Sequence, residues 1–260
     1  MEEYRVIEGS RLPLSHLKKL PEHFWYRGDP TLLQRPKVSI VGTRRPMRYT
    51  REYIRELADA LARRGVAVVS GAAMGVDAMA HTGAGPSNTI AVVANGVDIR
   101  YPATNAPLIE SIEQDGLVLS QFKPGSRAAA WSFVIRNEIV VALGEVLVIG
   151  EADENSGSMR SAEYALKQGK EIYVLPHRLG ESAGTNRLLK EGLASPIYSI
   201  EAFAERFGVV PSAEQERDEF FYFCQKHPTM DEAVLRFGDR VFEEELEGKI
   251  VVENGRIRPA

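Results

Sequence analysis

Two short turns carry residue types that suit an anion. The first is Gly42-Thr43-Arg44-Arg45-Pro46 and the second is Ser70-Gly71-Ala72-Ala73-Met74-Gly75. In the first, Gly42 lets backbone N–H groups approach a ligand, Thr43 offers a hydroxyl, and the two Arg present planar forks matched to phosphate. The second is a small-residue turn leading into a helix N-terminus. Side by side they would form an anion cradle, although glycines also serve tight turns and surface Arg are often merely solvated. Gly157-Ser158, after Ser156, opens another helix whose N-terminus either takes an anion or is capped by Ser156. The run from Gly125 to Asn137 places Trp131 and Phe133 beside Arg127 and Arg136. In an irregular stretch, unpaired bases stack on such rings while Arg meets phosphate; in the core, the same rings only pack. Asp77 and His81, four apart, share a helix face. They fit a buried or surface pair that holds the helix to its sheet better than an acid–base or metal site, because no further His or Cys completes a set.

These residues need a frame, and the chain supplies one. β-Branched, nearly continuous apolar runs occur at 38–41, 66–70, 89–94, 117–120, 145–149 and 171–175, the mark of parallel strands covered on both faces. Helical periods fill the gaps at 50–64, 76–82, 105–114, 156–168 and 185–191. In the first, Tyr53, Ile54, Leu57 and Leu61 form one stripe and Gly65 is the stop; in the third, Thr104 or Asn105 is the N-cap. Six strands with helical crossovers predict an extended Rossmann-like, doubly wound α/β sheet, whose ligands collect at the carboxyl ends of its strands. Residues 1–36 are expected to be an extension packed on a core at 37–208. A linker follows at 209–215, then a small winged-helix domain at 216–260. That tail would hold helices at 218–226, 230–237 and 240–246, with Asn254-Gly255 turning a hairpin.

The 260 residues hold 32 basic and 36 acidic side chains, a net charge of −4. The acidity sits in the tail, whereas Lys37–Arg64 carries 8 basic against 3 acidic residues. Charge acts locally, since screening confines each patch to about 8 Å. Cys224, the single cysteine, excludes a disulfide framework and a Cys-rich zinc site. No run approaches the ~20 apolar residues of a membrane span, and the start lacks the pattern of a signal peptide, so a soluble, cytoplasmic protein without membrane attachment is expected. Dinucleotide, P-loop, nucleophile-elbow and zincin motifs are all missing, which removes the common enzymes of this fold class.

The strings LPEHFWYRGDPTLL, VSIVGTRRP, VSGAAMGVDAMAH, NGVDIRYPATN, GLVLSQFKPG, FVIRNEIVVAL and SGSMRSAEYALKQGKEIYVLPHRLGESAGTNRLLKEG stand in one order over roughly 20–195. In these the chain resembles the DNA-processing protein A family, also called DprA or Smf. The resemblance implies a cytoplasmic, non-enzymatic protein that binds single-stranded DNA, dimerises, protects DNA in natural transformation and loads the RecA recombinase, with no cofactor or metal. Carried over, Gly42, Thr43, Arg44 and Arg45 would take phosphates. Gly71, Ala72 and Gly75 would supply a second phosphate turn, and Phe133, Arg136 and Asn137 would line the strand's path. The chain departs from the family pattern at Glu138, where a basic residue is lost, and at the three alanines 128–130, while the helix at 240–246 is too acidic to enter a DNA groove. A protein-interaction adaptor with a degenerate pocket is the second reading. A nucleotide phosphoribohydrolase-like enzyme is a weaker third, since the P-G-G-x-G-T motif of that family is absent.

Overall fold

The computed structural model describes residues 4–14, 17, 19–210, 220, 222–224, 227–246, 248–253 and 255–259. They fall into two compact units, Met1–Val209 and Val210–Ala260. In the larger unit, β3 (Lys37–Val41), β4 (Ala67–Ser70), β5 (Thr89–Val92), β6 (Leu117–Ser120), β7 (Val146–Ile149), β8 (Ile172–Val174) and β9 (Ser195–Pro196) are parallel throughout. β1 (Arg5–Glu8) and β2 (His23–Gly28) join antiparallel, β2 pairing with β6. The order is β1-β2-β6-β5-β4-β3-β7-β8-β9. From β3 the chain builds outward to β6, then returns to β3's other side with β7. That reversal leaves a crevice outside the carboxyl ends of β3 and β7.

The doubly wound α/β reading holds, with nine strands rather than six. The first 36 residues do more than pack on the core, for two of the three extra strands come from them. His23-Phe-Trp-Tyr-Arg-Gly28 mixes polar and aromatic residues because only part of each face is covered, so it lacks the apolar run of an inner strand. Ser195–Pro196, only two residues long, is too short to leave any period.

Helices cover both faces. α1 (Arg48–Ala62), α2 (Val76–Ala84), α3 (Ala106–Asp115) and α7 (Ile200–Ala204) lie on one, and α4 (Ala130–Leu143), α5 (Gly157–Lys167) and α6 (Ala183–Lys190) on the other. In α1 the residues Ile54, Leu57, Ala58 and Leu61 are fully buried, each large side chain contributing about 1.5–3 kcal/mol. Tyr53, expected in that stripe, stays 40% exposed and stacks near Tyr49 at 4.8 Å between ring centroids. Gly65 follows the C-cap with φ 74°, as a stop requires. Asn105 does hold the N-cap place of α3, but its amide is drawn away to the carbonyls of Ala72 and Ala73. The stretch carrying Trp131 and Phe133, expected to be irregular, belongs to α4. Its first turn is closed by Ser132, whose hydroxyl oxygen accepts the Ala129 N–H at 2.9 Å.

In the smaller unit, α8 (Met230–Phe237) and α9 (Arg240–Leu246) precede a hairpin of β10 (Ile250–Glu253) and β11 (Arg256–Pro259). Thr229 and Glu232 form a reciprocal capping box on α8. Phe220, Cys224, Ala233, Val241, Ile250 and Ile257 make its own core. The expected linker at 209–215 and helix at 218–226 lie largely outside the described residues, as does Asn254.

Candidate functional site

The loop after β3 is pinned from both sides. Thr43 N–H donates to Glu151 O at 2.8 Å, Val76 N–H to Thr43 O at 3.1 Å, and Met47 N–H to the Glu151 carboxylate at 2.9 Å. A Cβ on Gly42 would stand 2.5 Å from Val76 Cγ2, so glycine is what lets α2 approach. This clamp lifts Arg44 and Arg45 into solvent, and among the described residues no carboxylate lies within ion-pair distance of either. Arg44 sits over the Phe133 ring, its Cζ 5.3 Å from the centroid, which holds a flexible cation at one place without neutralising it.

A cleft of about 350 Å³ opens beneath. Of the twelve residues expected from sequence, nine line it: Gly42, Thr43 and Arg44 from β3's loop, Gly71 from β4's, Phe133, Arg136 and Asn137 from α4, and Gly157 and Ser158 from α5. Arg45, Ala72 and Gly75 do not. Gly157 has open space where a Cβ would be, and Ser156 and Ser161 bury hydroxyls that have no hydrogen-bond partner among the described residues. Ser156 occupies the N-cap place of α5 but does not cap it.

The second turn is not the open cradle expected. The Asp77 carboxylate accepts from the amides of Ala73, at 3.3 Å, and Gly71, taking the place an external anion would have. Arg136 is 3% exposed and donates to the carbonyls of Gly71 and Val92, the latter at 2.7 Å. Its guanidinium fills the space a Gly71 side chain would need. Burial lowers Arg136 to about 10, and the charge of Asp77 opposes that fall. Burial raises Asp77, against the pull of Arg136. Asp77 and Arg136 therefore form an internal buttress that sets the turn's shape. Asp77 and His81 do not bond to each other. His81 is buried against Thr89 of β5, so both tie α2 to the sheet.

Three cleft or rim features escaped the sequence reading: Arg160, exposed on α5; the Ser161 hydroxyl; and Tyr101, 6.0 Å from Phe133 between ring centroids. An Arg among polar helix residues leaves no signal of its own. Tyr101 is brought in from the loop after β5, 32 positions away. Glu138 does not line the cleft.

The family model of DNA recombination-mediator protein A matches residues 7–208. The DNA processing protein DprA of Bacillus subtilis is 34% identical over 190 residues, which cover 71% of this chain and 64% of that protein. Its counterpart in Streptococcus pneumoniae is 33% identical over 196 residues, covering 74% and 69% respectively. The aligned part thus spans less than two thirds of the B. subtilis relative. Among solved structures, DNA processing protein A from Helicobacter pylori, determined for its single-stranded DNA binding mode, superposes with a TM-score of 0.76 at 41% identity, covering 78% of this chain and 95% of that one. The S. pneumoniae structure gives a TM-score of 0.74 at 30% identity, covering 80% and 76%.

Proposed function

Since the chain belongs to the family of DNA recombination-mediator protein A, we propose that it binds single-stranded DNA along the cleft between the ends of β3 and β7. Under this reading it protects that DNA and hands it to a RecA-type recombinase in natural transformation, as a cytoplasmic homodimer. No bond is made or broken, and no metal or cofactor takes part.

The observation that carries the reading is Arg44, exposed, without a carboxylate partner and seated on Phe133 at the topological switch point. A phosphate there meets a fork already oriented, so little side-chain entropy is lost. The Thr43 hydroxyl, which accepts the Arg45 N–H at 3.3 Å, has its own proton to donate, and Arg45 extends the positive rim. Gly157, Ser158 and the unpartnered hydroxyls of Ser156 and Ser161 offer contacts on the far wall. Phe133 stacks a base, and Asn137 is within the strand's path. Gly71, Ala72, Gly75 and Arg136 act by shaping the wall rather than by holding phosphate.

We read the smaller unit as a winged-helix module facing protein. Phe242 and Leu246, four apart on α9, are exposed, with Glu243 and Glu245 flanking that stripe. A helix so charged repels phosphate.

Fluorescence anisotropy with oligo-dT at two salt concentrations tests the main reading. Wild type should bind with a log–log salt slope near −0.7 per phosphate contacted. Arg44→Ala should weaken binding about 10- to 100-fold, the worth of a charged hydrogen bond. Absence of wild-type binding at low salt would overturn it.

A further inference from the structure

Beyond the cleft, α4 carries a second aromatic group on its other side. Trp131 and Phe133 are two residues apart in the first turn of α4, so they project on opposite sides of it. Phe133 looks toward the ends of β3 to β5, where Arg44 and Tyr101 meet it. Trp131 meets Phe122, in the loop after β6, with centroids 5.7 Å apart and planes at 77°. It remains 61% exposed, and Tyr101 47%. A core explanation does not fit an indole so open.

The support under Trp131 is rigid. Phe122 N–H donates to the Ser120 hydroxyl at 3.0 Å, and Gly96 N–H to Ser126 O at 2.9 Å. The Asp98 carboxylate accepts the Gly125 N–H with both oxygens, at 2.9 and 2.8 Å. That bond ties down the loop and commits the nearest acid of the loop after β5 to it. Edge-to-face contact with Phe122 fixes the indole's plane. Residues 128–130 are alanines, whose short side chains put no charge beside the ring, and Lys123 and Arg127 are exposed in the same loop.

Resting on the single-strand reading above, we propose that Trp131, backed by Phe122, is a second base-stacking platform. It takes a base of the strand after that strand has left Phe133 and crossed the first turn of α4. Phe133 and Trp131 then grip successive parts of one strand, and the second grip is stacking rather than charge. It is tolerant of base identity, since every base has a π-face.

The chain has two tryptophans, and Trp25→Phe leaves Trp131 as the sole reporter. In that variant oligo-dT should quench the emission in parallel with the anisotropy rise. Trp131→Ala should weaken binding about 5- to 150-fold, the range for loss of one stacked base, with the salt slope unchanged because no charge is removed. Trp131→Phe should recover part of the loss. Unaltered melting of these variants keeps the comparison to binding. Binding that survives Trp131→Ala intact, with no quenching, would overturn this inference while leaving the single-strand reading in place. If wild type binds no oligonucleotide, the single-strand reading falls first and this one with it.

Discussion

At the scale of residues, the buried charged and titratable groups are devices of shape. Asp77 and Arg136 each oppose the shift that burial imposes on the other inside the wall of the cleft, and removing one partner of such a buried pair takes away that opposition. His81 is the group whose effect is simplest to measure. Burial, helped by the charge of Arg136, pushes it down to about 3 from 6.5. Between those values the unfolded chain holds a proton that the native chain lacks, so this group's contribution is complete above pH 6.5 and lost as pH falls toward 3. From pH 7 to pH 5 the loss is about 2 kcal/mol. His81→Asn keeps a donor near Thr89 and cannot titrate. Urea denaturation at the two pH values should show wild type losing about 2 kcal/mol more than the variant across that interval. The raised Asp77 acts in the opposite sense in both proteins and cancels from the comparison. Equal losses would mean that His81 is protonated in the native state.

At the scale of elements, the turns divide into those built to pack and those left open. Gly75 has φ 82°, and a Cβ would press on the backbone of Thr43 and Arg44 at the crown of the first loop. Gly157, at the first position of α5, has nothing within 4 Å of that point. Gly75→Ala should therefore cost about 1–3 kcal/mol in urea denaturation. Gly157→Ala should leave stability unchanged or raise it by up to about 1 kcal/mol, while weakening oligo-dT binding because the methyl group enters the cleft. A Gly157→Ala protein that binds as wild type would take α5 out of the interface. Sequence reading reached far at this scale. Continuous apolar runs such as Leu117–Ser120 mark inner strands because both their faces are covered, and Gly42 and Gly157 mark turns that do line the cleft. It stopped where the partner is distant along the chain. Arg136 looks like a surface cation until Gly71 and Val92 are folded against it. The Asp77 carboxylate had no visible reason to close the Gly71 turn. β2 was hidden by half-exposed faces that break the period.

At the scale of the whole molecule, charge is partitioned as the two units are. Residues 210–260 hold 12 acidic and 7 basic side chains, leaving +1 on the remainder of a chain whose net charge is −4. A polyanion approaching the larger unit is therefore repelled by charge carried on the other unit. That repulsion is screened over about 8 Å at physiological salt and reaches about 30 Å at 0.01 M. The larger unit has its own buried layers on both faces of its sheet, and the smaller one has a core built around Phe220, Val241 and Ile257. A chain ending at Val209 should therefore melt in one cooperative transition. At low salt it should bind oligo-dT a few-fold more tightly than the full chain, and the gain should vanish at 0.5 M salt, since every residue lining the cleft is kept and the net negative charge of residues 210–260 is removed. Duplex binding should be unchanged by the truncation, because α9, with Glu243, Glu244 and Glu245, is unsuited to a groove lined with phosphate. Loss of duplex binding on truncation would instead make the smaller unit a DNA module, and its exposed Phe242–Leu246 stripe would then need an occupant other than protein.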